Sequence, residues 1–203
     1  MNIPSPLSKL AICCASFLLF SLSFRLNALL DSFALYAPGV NLVFVPAGIK
    51  LVCLLLGGEA AALGLLLSSI HASLSVWSDT SLAEMVSFSI ASIGSYYLTI
   101  QLAIRVMGID DTLGNLRYRH IVILCLLVSL ANGTIQNSVY LVQQKVLPQD
   151  VLASTTAMVL GDFLGCFIVI TLLTVGIDLL LAILHRREAD QNGFHRVAAF
   201  LRR

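Results

Sequence analysis

The residues best equipped for chemistry in this sequence are ionisable groups set within or at the edge of long apolar runs: Arg25, Lys50, His71 and Asp162. A charge in hydrocarbon is costly, so such groups turn toward the interior of a helical bundle and find partners there. If the runs are membrane-spanning helices, Lys50 falls about ten residues and Asp162 about eight residues from the same outer face. At 1.5 Å per residue the two then differ in depth by only ~3 Å. An ion pair between them is expected. It could pin two helices together, or it could belong to a ligand site or a proton-sensitive switch. His71 either bonds a neighbouring helix or joins that site. Arg25 is long enough to reach the outer headgroups by snorkelling.

A second polar set lies further along. Ser129, Asn132, Gln136, Tyr140 and Gln143 recur at spacings of three and four, with Asn137 beside them. On a helix they share one face. Lipid offers no hydrogen-bond partner, so this stripe is expected to face protein. It serves either as a set of interhelical hydrogen bonds or as the wall of a polar cavity. No P-loop, dinucleotide fingerprint or zinc motif is present, and no nucleophile–base constellation is recognisable from spacing. The expectation is a non-enzyme without cofactor, metal or nucleic-acid partner, whose small ligand is unknown. The five cysteines, Cys13, Cys14, Cys53, Cys125 and Cys166, sit in apolar runs without metal-ligand spacing and read as small buried hydrophobes.

The elements that must position these groups follow from composition. Of 203 residues, 58% are hydrophobic and 11% charged, where a soluble domain carries roughly a quarter charged residues. Six segments suit a hydrocarbon core ~30 Å thick: 9–30, 40–57, 60–77, 82–105, 120–142 and 154–184. Gly57, Gly58 and Glu59 join the second and third in a tight helical hairpin. The N-terminal run follows Lys9 and has no clear small-residue cleavage site, so it reads as a retained first helix. The fold expected is an all-α polytopic membrane bundle over 1–184, followed by a short basic tail over 185–203.

Orientation follows from basic residues. With the N-terminus inside, the inner segments carry Lys9, Arg105, Arg117, Arg119, Arg186, Arg187, Arg196, Arg202 and Arg203, and the outer ends only Arg25 and Lys145. Both termini are therefore expected in the cytoplasm. In the tail, Phe194, Val197, Ala198 and Leu201 recur at helical spacing, so it is either an amphipathic helix on the inner leaflet or a solvated end. Pro46 and Gly48 are expected to kink the second helix one turn before Lys50. Gly161 and Gly165 have the small-xxx-small spacing of close helix packing, and Ser87, Ala91, Ser92, Ser95 and Thr99 give the fourth helix a small-residue face.

Two stretches carry a family resemblance. Val45, Pro46, Ala47, Gly48 and Ile49 lead into an apolar run and a glycine, and Gly161, Asp162 and Gly165 open the last helix. Over residues 40–182 this resembles the bacterial membrane-associated sensor domain, MASE type, first class. The resemblance implies a sensor module of the bacterial inner membrane whose output comes from a partner such as a kinase or cyclase. Two other readings remain open. The chain could be a substrate-binding transporter subunit, with Ala11 and Ala15 giving the Ala-x-x-x-Ala spacing used to contact partner subunits, or a structural subunit of a membrane complex.

Overall fold

Ser5 and Pro6 start the first helix. The Ser5 hydroxyl accepts from the Ser8 N–H at 3.2 Å, and Pro6 occupies a position whose N–H needs no partner. The computed structural model describes residues 5–77, 79–110 and 112–200, with side chains described as far as residue 184. Helix α1 spans Pro6–Asn27 and leads through a 3₁₀ turn, Ala28–Leu30, into the short α2, Asp31–Ala34. Strands β1 (Leu35–Ala37) and β2 (Val40–Asn41) pair antiparallel across Pro38 and Gly39. Helices α3 (Val45–Val76), α4 (Leu82–Met107), α5 (Tyr118–Val142) and α6 (Val151–Phe200) follow. A capping box between Ser81 and Glu84 opens α4, and Gly108, left-handed at φ 62°, closes it.

Five helical stretches are long and apolar enough to cross a membrane: Pro6–Ala34, Val45–Val76, Leu82–Met107, Tyr118–Val142 and Pro148–Leu184. The distribution of side chains agrees with lipid as the solvent. Leu18, Leu22, Leu56, Leu98, Leu102 and Leu126 face outward, while Lys50, Ser68, Asn132, Asn137 and Asp162 are buried. This is the reverse of a water-soluble protein. The all-α bundle expected from composition is the fold observed.

Helix α3 doubles back on itself. Trp77 follows α3, yet it packs with Ala37 and Val40, which precede it, in one apolar cluster with Phe88 and Tyr140. A straight helix of 32 residues would hold its ends ~48 Å apart. The reversal is at Gly58, whose φ of 52° and ψ of −131° form a conformation open to glycine. Both arms lie along α1. Ile12 abuts Gly57, the Cys13 carbonyl fills the space beside Gly64, and the Ser21 and Ser68 hydroxyls are 2.7 Å apart. The hairpin expected at Gly57–Glu59 is thus present. The kink expected at Pro46–Gly48 is not. Pro46 stands in the first turn of α3, where no helical hydrogen bond is lost.

The second expected span, 40–57, is helical only from Val45, and its arm is about 20 Å long at 1.5 Å per residue. The residues before it, 41–44, are not helical. Their backbone is satisfied by protein: Leu42 N–H donates to the Ala34 carbonyl at 2.7 Å, Phe44 N–H to the Gly161 carbonyl at 3.0 Å, and Val45 N–H to Asn27 Oδ1 at 2.8 Å. Gly161 and Gly165 were expected to receive a neighbouring helix. They receive this segment instead, with the carbonyls of Asn41 and Phe44 where a Cβ would stand. Helix α4 packs on α3 and α5, and α6 approaches α5 at Gly133, against Thr155 and Val159.

The chain divides into two compact units, one ending at Ile168 and one beginning at Val169. The second is the continuation of α6, helical to Phe200. The amphipathic face expected in the tail lies outside the described side chains, and Leu201, Arg202 and Arg203 lie outside the described residues.

Candidate functional site

A cavity of about 360 Å³ lies within the first unit. It is framed by α1, the β1–β2 hairpin, both arms of α3, and α4, α5 and α6. This is within the range of small-ligand pockets. Its polar wall includes Lys50, Ser92, Asn132, Gln136 and Asp162, and its apolar wall includes Phe20, Phe24, Phe44, Trp77, Phe88 and Tyr140.

Each polar group is delivered by a local rule. The non-helical segment 41–44 sets the start of α3 so that Lys50 comes one turn and a half later and points inward, 2% exposed. Ser92 and Tyr96 are four residues apart on α4 and share a face. Lys50 Nζ donates to Ser92 Oγ at 3.0 Å and sits 4.2 Å from the Tyr96 ring centroid and 5.5 Å from that of Phe44. Such placement over ring faces stabilises an ammonium by about 0.5–2 kcal/mol per contact. On α6, Asp162 is 1% exposed. Its Oδ2 accepts from the Tyr96 hydroxyl at 3.0 Å and from Asn132 Nδ2 at 2.6 Å. Asn132 Oδ1 in turn accepts from Ser95 Oγ at 3.1 Å. Helices α4, α5 and α6 are thereby joined through one carboxylate.

The expected ion pair is replaced by a different arrangement. Among the described residues Lys50 and Asp162 form no ion pair; both meet Tyr96, the ammonium over its ring and the carboxylate at its hydroxyl. Both line one cavity, and each takes Tyr96 as its near partner. Asp162 Oδ1 accepts no hydrogen bond from the described residues. Gln136 is 5% exposed, its side chain lies beside the Tyr140 hydroxyl, and its Oε1 has no donor among the described residues.

The polar stripe on α5 faces protein, as expected: Ser129, Asn132, Gln136 and Tyr140 are buried, with Asn137 beside them, and Gln143 is half-buried and donates to Ser87 Oγ at 2.7 Å. Part of it is cavity wall and part is packing. Asn137 binds the Gly133 carbonyl, and its Oδ1 accepts from Ser154 Oγ at 2.6 Å. His71 and Arg25 lie apart from the site. Both are exposed to the bundle exterior, His71 with its ring 6.3 Å from that of Phe17. Their helices turn these positions outward, which residue type alone does not reveal.

Sequence reasoning missed Tyr96 and the Ala28–Phe44 cap. Tyr96 had a legible signal, a phenol at mid-helix one turn from Ser92 on a face of small hydroxyl groups. Pro38-Gly39 marked the turn between the strands. No family model matches this chain, and no curated protein or solved structure matches it.

Proposed function

We propose that this chain is a small-molecule-binding sensor module of the bacterial inner membrane, crossing it six times with both termini in the cytoplasm and signalling through a partner protein. The cavity carries this reading: a space of about 360 Å³ with an ammonium, a carboxylate, two amides and an aromatic wall converging on it. Pockets of this composition, mostly apolar with a few convergent polar groups, are what ligand recognition requires. The resemblance of residues 40–182 to the MASE-type sensor domain points the same way, since Gly161, Asp162 and Gly165 all belong to this region of the bundle. Six crossings follow if each arm of α3 counts as one, and the basic residues then gather on one side. In that orientation the cap, residues 28–44, covers the cavity from the outside.

Trp77 is the only tryptophan and lines the cavity, so its fluorescence reports occupancy directly. Purified protein is titrated with a library of small polar and amphipathic molecules while Trp77 emission and thermal unfolding are followed. At least one class is expected to shift the emission and raise the unfolding temperature. A library in which nothing does either refutes the reading. Uptake of the ligand into proteoliposomes would replace the sensor by a transporter subunit. A periplasm-active reporter fused after Arg203 is expected to be silent, and strong activity refutes the topology.

A further inference from the structure

The two charges of the cavity are held apart and incompletely satisfied. Lys50 Nζ has three N–H donors and uses one, on Ser92. Asp162 uses Oδ2 twice, while Oδ1 accepts nothing among the described residues. Gln136 adds a buried carbonyl oxygen without a donor on the cavity wall. A direct ion pair would have closed the site on itself. Both charges meet Tyr96, and the ammonium and the carboxylate each keep unused hydrogen-bonding capacity toward the same space.

We propose that the ligand is a zwitterion of the α-amino-acid type with a compact apolar side chain. Its carboxylate meets Lys50, and its ammonium meets Asp162 Oδ1 and Gln136 Oε1. Its side chain packs against Trp77, Phe88 and Tyr140. This rests on the reading of the cavity as a ligand site and names the class of ligand. Charge balance selects the class. Buried charges need partners of opposite sign, and a ligand bearing one charge satisfies one wall of this cavity while leaving the other unmet. A zwitterion satisfies both and leaves the net charge of the site unchanged. The unpartnered Gln136 oxygen calls for an N–H, which an ammonium supplies beyond the one given to Asp162. The rings of Trp77, Phe88 and Tyr140 pack within 5.7 Å of one another and form an apolar corner for the side chain.

The test uses the full chain in detergent and a panel of α-amino acids. Phenylalanine is compared with its deaminated analogue 3-phenylpropanoate and its decarboxylated analogue 2-phenylethylamine. Binding is read from Trp77 emission excited at the red edge. A member of the panel is expected to bind at least tenfold more tightly than either matched single-charge analogue. Asp162→Asn is expected to lose that preference for the zwitterion over the carboxylate, and Gln136→Leu to weaken the zwitterion at least tenfold with the unfolding temperature retained. The comparison of analogues on the native protein stands even where a variant fails to fold. An analogue binding as tightly as its parent overturns the proposal, as does a panel without any binder. If a neutral or singly charged molecule from the wider library binds at Trp77 instead, the sensor reading survives and only the zwitterion is refuted.

Discussion

Replacing Gly161 by alanine tests the least conventional feature of the fold, the seating of a non-helical segment on α6. A Cβ at Gly161 would coincide with the Asn41 carbonyl oxygen, which belongs to backbone and cannot rotate away. The segment would have to move by more than an ångström. It is held there by three bonds, from Leu42 N–H to Ala34, from Phe44 N–H to Gly161 itself and from Val45 N–H to Asn27. Each such bond contributes about 0.5–1.5 kcal/mol net, and overpacking a close contact costs about 1–3 kcal/mol. Losing one bond while the segment shifts gives a cost of about 2–4 kcal/mol. Gly94 in α4 is the control, because a Cβ there meets nothing within 4 Å. Gly94→Ala is expected to be neutral or to gain up to ~1 kcal/mol from helix propensity. Reversible unfolding in detergent, followed by Trp77 fluorescence, measures both. If Gly161→Ala falls within ~0.5 kcal/mol of Gly94→Ala, the segment does not rest on this glycine and the architecture around the cavity is wrong.

Tyr96→Phe keeps the ring beneath Lys50 but removes one of two donors to Asp162, so a loss of roughly 1.5–3 kcal/mol is expected, with Tyr97→Phe as a near-neutral control in the same unfolding assay. Gly58→Ala meets no steric obstacle but must hold a φ of 52°; a loss of about 1–3 kcal/mol is expected from backbone strain alone, and an unchanged midpoint would refute the reversal at this residue. Single cysteines in a cysteine-free background are expected to separate Gln136 from Leu126, the first buried and the second outward-facing. A lipid-soluble thiol reagent should label Leu126→Cys well ahead of Gln136→Cys, and equal labelling would contradict the inward stripe.

What could be read from the sequence was whatever lipid enforces on each residue separately. Charge depletion and apolar run length gave the helices, because no other arrangement satisfies backbone in hydrocarbon. The turn at Gly57–Glu59 was legible because two glycines interrupt an apolar run twice too long for one crossing. The inward stripe on α5 was legible because its polar side chains have a single period. The same reasoning failed where the partner matters more than the residue. Pro46 signals a kink or a helix start equally, and only the course of Asn41–Phe44 decides for the start. Gly161 and Gly165 signal close approach without saying what approaches. Arg25 and His71 are ionisable but lie on outward faces, and a single charge carries no periodicity from which a face could be inferred.

The pairing of Lys50 with Asp162 shows where depth arguments end. Matched depth limits two groups to one layer of the bundle, but within that layer each takes the partners that the neighbouring helices supply. Here α4 supplies Tyr96, an aromatic ring that solvates the ammonium with its face and the carboxylate with its hydroxyl. A phenol can do both at once because the negative face of the ring and the O–H donor point in different directions. A residue without the hydroxyl would leave Asn132 as the one donor to Asp162 among the described residues. Tyr96 is therefore the side chain that partners both charges at once, the condition under which they remain available to a third group.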